Sequence, residues 1–309
     1  PDDDVPRFDY ETHVRALAAD PPEWPESTRR VSEVRVALSF TSEHPLRQLL
    51  GLRRLNLDIV DYPGEWLLDL AMLGESYASW SRDALDRARR LSARGGPAAD
   101  WLSFASGIDA AAAEDKQLAL DGARRFTQYL HAARQQSAVA TLGPGRFLMP
   151  GDLEGSPLLT FFPLDIDLDK SPARGSLAAM MARRYDSYVQ HVVRPFFRDH
   201  FSRLDRQIVL VDVLGALNGG AETIGELERA LTAVLKAFRP GVASWLESLI
   251  GGRRIDRLLF AATKADHIHH TSHDRLEAIL RLLTQRAAAR AGDAGAETHV
   301  MALAALRAT

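Results

Sequence analysis

The chain contains no cysteine, which excludes disulfides and thiolate metal sites and agrees with a reducing compartment, so a cytoplasmic address is the default expectation. Lysine is scarce. Lys116, Lys170, Lys236 and Lys264 are the only four, and a lysine in a loop of functional appearance therefore carries more information than usual. Lys264 stands in such a loop. Long apolar runs are missing, since no stretch approaches the roughly 18 consecutive apolar residues of a membrane span. Positive charge is not in excess either: 38 Lys and Arg face 41 Asp and Glu, for a net charge of -3. Nucleic acid is not expected as a partner, because its binders carry a basic footprint. The start, Pro1-Asp2-Asp3-Asp4, offers neither an initiator methionine nor a signal peptide and reads as a cut end.

What is present is enough apolar material for a substantial core, 46% of 309 residues, with no compositional sign of disorder. Residues before 31 read as irregular and proline-rich. Val31 to Phe40 then alternates apolar and polar residues as a half-exposed strand does, and Leu55 to Asp61 reads as a second strand closed by the turn Tyr62-Pro63-Gly64. The two are expected to form a hairpin. From about 66 to 205 the pattern is mostly helical, with apolar spacings of three and four in Glu65 to Arg90, Leu118 to Gln136 and Gly175 to Phe201. The connector from Gly143 to Leu168 reads as loop with room for one short strand.

Beyond 205 short apolar runs alternate with helices: a strand at 207–212, a helix around Ile224 to Ala237, a strand at 255–262, a helix from about Ser272 to Ala291, and a strand at 297–303. That alternation predicts right-handed crossovers and a parallel sheet buried on both faces. Ligands of such sheets sit at the carboxyl ends of the strands.

Those ends hold the informative residues. Asp61-Tyr62-Pro63-Gly64 fits phosphoryl chemistry, because an aspartate at a strand end can hold a Mg²⁺-bound water while Gly64 lets a backbone N–H approach a γ-phosphate. Alone the pattern is weak. Asp212-Val213-Leu214-Gly215 satisfies it as well, and Asp-Tyr-Pro-Gly is also an ordinary turn sequence. Thr263-Lys264-Ala265-Asp266 is more specific: the carboxylate of Asp266 can accept from the guanine N1–H and exocyclic amine while the Lys264 stem covers the ring. Adenine offers the wrong pattern, and leaving such buried groups unpaired costs about 1–3 kcal/mol each. The bland reading is a helix-initiating loop with a solvated Lys and Asp. In Ala304 to Thr309, including Leu306 and Arg307, backbone N–H groups would touch the base oxygen, so side-chain identity there carries no information.

Thr28 precedes the first strand, where nucleotide switches place a threonine that completes Mg²⁺ coordination and senses the γ-phosphate. It reads equally as a turn or capping residue. Among His267, His269, His270 and His273 there is an i,i+4 pair that could hold Zn²⁺ on a helix, though no fixed acidic or thiolate partner accompanies it. The aromatic run Arg194-Pro195-Phe196-Phe197-Arg198-Asp199-His200-Phe201 reads as a packed helix end before it reads as an interaction surface.

Together these segments resemble the YcjX-like proteins, bacterial P-loop proteins associated with stress operons and described as GTP-binding. The resemblance covers nearly the whole chain. It rests on Trp24-Pro25-Glu26-Ser27-Thr28, on Asp58 to Trp66, on Pro144-Gly145-Arg146-Phe147, on Arg194 to Phe201, on Ile208 to Asp212 and on Phe260 to His267. It implies an α/β fold of the P-loop NTPase, GTPase-like class: a mainly parallel sheet flanked by helices, with residues 1–65 and 206–309 as nucleotide-binding core and 66–205 as a large helical insertion. It also implies Mg²⁺ and GTP or GDP as cofactors, a protein partner of undefined identity, and a cytoplasmic or membrane-peripheral stress role.

One departure is plain. No Gly-x-x-x-x-Gly-Lys-Ser/Thr occurs in the 309 residues, so the P-loop strand and its phosphate cradle are absent from this chain. Glu65 stands where many GTPases carry a water-orienting glutamine, and a carboxylate beside a γ-phosphate is repelled unless Mg²⁺ or an arginine offsets it. Glu65 is thus either a base or a residue that points away, and slow turnover is expected, with Thr28 and Glu65 as the catalytic candidates. Two other readings stay open: an ATPase of the same fold, and a non-catalytic scaffold built on a degenerate nucleotide fold.

Overall fold

The computed structural model describes residues 5–25, 28–40, 53–92, 95–136, 142–167, 170–200, 204–236, 257–293 and 296–304. They fall into two compact units, 1–64 with 149–152 and 65–148 with 153–309.

In the first unit, β1 (Ser32–Phe40) and β2 (Arg53–Asp61) pair antiparallel, with Ser32 opposite Asp61 and Phe40 opposite Arg53. The expected hairpin is present. Its period of two sorts the side chains: Val36, Leu38, Leu55, Leu57 and Ile59 share one face, while Arg35 on the other face ion-pairs with Asp58 directly across the ladder. Helix α1 (Tyr10–Leu17) precedes the hairpin, in a segment the sequence reads as irregular. It buries no residue, so its short apolar stripe of Tyr10, Val14 and Leu17 is not covered among the described residues. Local bonds hold it instead: Asp9 accepts from the backbone N–H of Thr12 at 3.2 Å, and Arg15 donates to the Thr12 hydroxyl at 3.1 Å.

The second unit opens with helices. α2 (Trp66–Asp69) runs into a tight turn at Leu70–Gly74, followed by α3 (Tyr77–Ser92), α4 (Pro97–Ser106), α5 (Lys116–Gln136) and α6 (Gly145–Leu148). α7 (Leu177–Tyr188) continues through a wide turn at Val189–Val193 into α8 (Arg194–Asp199). The long helices expected over 65–90 and 175–201 are therefore interrupted ones. The connector after 143 holds α6 and short helical turns at Gly151–Leu153, where 149–152 belong to the first unit, and Pro157–Leu159, and no strand among the described residues. An aromatic core binds the array: Trp80 lies 5.3 Å from both Phe161 and Tyr185, and Trp101 lies 5.1 Å from Phe126. Phe196 and Phe197 are buried, which makes the aromatic run of α8 a packed helix end.

The same unit holds a parallel sheet in the order β3 (Arg206–Val211), β4 (Arg257–Ala262), β5 (Glu297–Ala302). α9 (Val213–Asn218) and α10 (Ala221–Lys236) follow β3, and α11 (His273–Asp293) links β4 to β5. Phe260, Val209, Val211, Leu227, Leu276 and Leu280 make one cluster between sheet and helices. The central strand is buried as expected. β3 is not: it alternates, with Ile208 61% and Leu210 63% exposed, so only one of its faces is covered among the described residues. No helix of the described residues is long and apolar enough to cross a membrane.

Candidate functional site

β2 ends on Asp61, and the Thr28 hydroxyl donates to its Oδ2 at 2.6 Å. The two residues expected around Mg²⁺ are thus brought together across 33 positions of sequence. Three residues on, Gly64 is exposed, and a methyl group added there would meet nothing within 4 Å. The donor set fits the ion: Mg²⁺ keeps several waters and takes one or two protein oxygens beside its phosphate ligands. The rival Asp-x-x-Gly has a local use. Asp212 caps α9, accepting from the Gly215 N–H at 2.8 Å, where an added Cβ would crowd the carboxylate.

Glu65 begins the second unit and its carboxylate pairs with Arg134 on α5. Just beyond it, Asp69 is buried and accepts from the Tyr188 hydroxyl at 2.6 Å, the Gly145 N–H at 2.5 Å and the Arg146 N–H at 3.3 Å. Burial pushes the Asp69 carboxyl up to about 6, and those hydrogen bonds only partly offset the cost of desolvation. Arg146 lies over the Trp66 ring with its guanidinium carbon 3.2 Å from the ring centre. The Pro144-Gly145-Arg146-Phe147 segment therefore fastens the turn that follows Gly64 onto the helices.

The Thr263–Asp266 loop leaves β4 at the carboxyl end of the parallel sheet. The Thr263 N–H donates to the Val211 carbonyl at 3.0 Å, and the Ala265 N–H to the Leu303 carbonyl at 3.2 Å, so the ends of β3 and β5 both grip it. Lys264 takes a left-handed backbone (φ 61°), a conformation that costs a non-glycine residue about 1 kcal/mol. Its ammonium reaches back to Asp212 Oδ2 at 2.6 Å, which lays the stem across the end of β3. Among the described residues Asp266 stays outside the loop's own hydrogen bonds, with His267 Nε2 3.8 Å from its Oδ2.

His273 Nε2 donates to the Ala265 carbonyl at 2.9 Å, and His269 contacts Thr271, so both shape the loop and the start of α11. Among the described residues no group of three or more His, Asp or Glu side chains could hold a metal ion. Leu306 and Arg307 lie outside the described residues. Thr28, Asp61 and Gly64 belong to one unit, and Glu65, Thr263, Lys264 and Asp266 to the other. A cleft of about 460 Å³ beside α7, lined by Arg183, Asp186 and His191 among others, contains none of these residues. Three participants were not anticipated from sequence: Arg134, Asp69 and, as the anchor of Lys264, Asp212. Only Asp212 left a trace, in its Asp-x-x-Gly spacing.

A family model described as the YcjX-like family, DUF463, matches residues 1–309. The chain belongs to the YcjX-like family. This YcjX-like chain is 40% identical over 312 residues to the Ras-like GTPase YcjX of Escherichia coli (strain K12), a match that covers 99% of the chain and 66% of that protein. It is 37% identical over 317 residues to the Ras-like GTPase YcjX of Shewanella oneidensis, covering 100% of the chain and 65% of the relative. The chain therefore spans slightly less than two thirds of the length of these curated relatives.

Proposed function

We propose that this chain forms most of a guanine-nucleotide site and belongs to a slow, Mg²⁺-dependent GTPase acting as a nucleotide switch. The observation that carries the proposal is the Thr263–Asp266 loop. It is clamped between the carboxyl ends of β3 and β5, with the Lys264 stem held across the sheet end and the Asp266 carboxylate kept out of internal hydrogen bonds among the described residues. An acceptor so placed pairs with the two donors on one edge of guanine, which adenine cannot match. The relatives' name, Ras-like GTPase, supports the same reading.

In this proposal residues 1–65 and 206–309 act as the nucleotide-binding core and 66–205 as a helical insertion. Asp61 and Thr28 face Mg²⁺, which supplies charge neutralisation at the phosphates when bound. The backbone of Gly64 meets the γ-phosphate, Thr263 orders the loop, and the backbone at Leu306 and Arg307 meets the base oxygen. The phosphate cradle comes from outside these 309 residues. Slow turnover follows from Glu65, which stands where many GTPases carry a glutamine that orients the attacking water. Replacing Asp266 by Asn tests the base assignment in the complete protein. The amide can donate to the extra carbonyl of xanthine, so the ratio of GDP to XDP affinity should fall by about 100-fold or more. An unchanged ratio removes Asp266 from the base.

A further inference from the structure

Glu65 is one peptide bond from Gly64, and its carboxylate is held by Arg134, 69 residues away on α5. Glu65 is 17% exposed and Arg134 42% exposed, so the pair sits at the rim of the helical array with the guanidinium partly open to solvent. The backbone is pinned at the same place. A Cβ on Gly145 would overlap the Glu65 carbonyl, and Asp69 grips the Gly145 and Arg146 N–H groups from below. Neither end of the Glu65–Asp69 turn is left to drift.

An ion pair on an open surface stabilises little, about 0–1 kcal/mol, so stability is a poor reason for this one. Charge offers a better one. A carboxylate immediately after the glycine that meets a γ-phosphate faces strong repulsion, which an adjacent guanidinium removes. The guanidinium has five N–H donors, of which a single carboxylate oxygen occupies one here, and it matches phosphate oxygens in geometry.

Resting on the GTPase reading above, we propose that Arg134 is an arginine supplied within the same chain that positions and neutralises Glu65 beside the γ-phosphate. The helical array thereby becomes part of the hydrolytic site, not only an appendage to it. Arg134 acts through Glu65 and is a positioning residue.

The test is single-turnover GTP hydrolysis and GDP affinity in the complete protein, for Arg134→Ala, Arg134→Lys, Glu65→Gln and the Arg134→Ala, Glu65→Gln double variant, with thermal melts of each. Arg134→Ala should slow hydrolysis by about tenfold or more while GDP affinity changes by less than about twofold. Arg134→Lys should recover part of the rate. In the Glu65→Gln background the loss of Arg134 should cost markedly less, since the charge it neutralises is gone. A wild-type rate in Arg134→Ala, or equal costs in the two backgrounds, overturns the proposal. A wild type that binds GDP but does not hydrolyse GTP overturns it too and leaves the binding site standing. A wild type that binds no guanine nucleotide overturns the reading beneath it.

Discussion

At the scale of single residues, Asp69 carries the clearest titration. Its carboxyl is raised to about 6 by burial, whereas an unfolded chain titrates it at about 3.9. Between those values the folded chain holds a proton that the unfolded chain has released, so stability is greatest on the acid side and declines as pH rises through about 6. The decline attributable to Asp69 is about 3 kcal/mol at most. Asp69→Asn should flatten that slope, which urea denaturation from about pH 4 to about pH 7 would detect, and an unchanged slope would assign it to another group. The two glycines around Glu65 should behave oppositely. Gly145→Ala forces a methyl into the Glu65 carbonyl and should destabilise by about 3 kcal/mol, whereas Gly64→Ala has open space and should stay within about 0.5 kcal/mol by the same melts. Equal effects would mean that the Glu65 turn does not rest on α6. The contact between Thr28 and Asp61 was foreshadowed in sequence because each occupies a recognisable place relative to a strand. Arg134 and Asp69 were not, because their partners lie 69 and 119 residues away and no local spacing encodes such pairings.

At the scale of elements, the strands were easiest to find. The two-residue alternation of β1 and the apolar runs of β4 and β5 are physical signatures of half-buried and buried strands, and each appeared within a few residues of its expected place. Helices held by caps were harder. α1 spans 8 residues and buries nothing, and α4 spans 10 and begins after Gly96 in a left-handed backbone with Pro97 at its first position, so the apolar stripe of each is short. The exposed face of β3 was missed for a related reason, since Ile208 and Leu210 have the composition of core residues without the burial. α9 joins element to site: Asp212 both caps it and anchors Lys264. Asp212→Ala should cost about 1 kcal/mol of stability and, by releasing Lys264, weaken GDP binding by about tenfold. Melts with a parallel GDP titration separate the two effects. Unchanged GDP affinity would show that Lys264 needs no anchor.

At the scale of the whole molecule, the chain spans 66% and 65% of two Ras-like GTPase relatives and contains no phosphate-cradling sequence. Its described residues nevertheless carry a strand-end carboxylate bonded to a threonine hydroxyl, and the Thr263–Asp266 loop held at the carboxyl end of a parallel sheet. Guanine specificity is the property on which this site stands or falls, and calorimetric titration of the complete protein with GDP and then ADP, in the presence of Mg²⁺, measures it. Clear GDP binding is expected, with ADP binding weaker by about 100-fold or more. Equal affinities would point instead to a nucleoside triphosphatase without base preference, and no binding of either nucleotide to a scaffold.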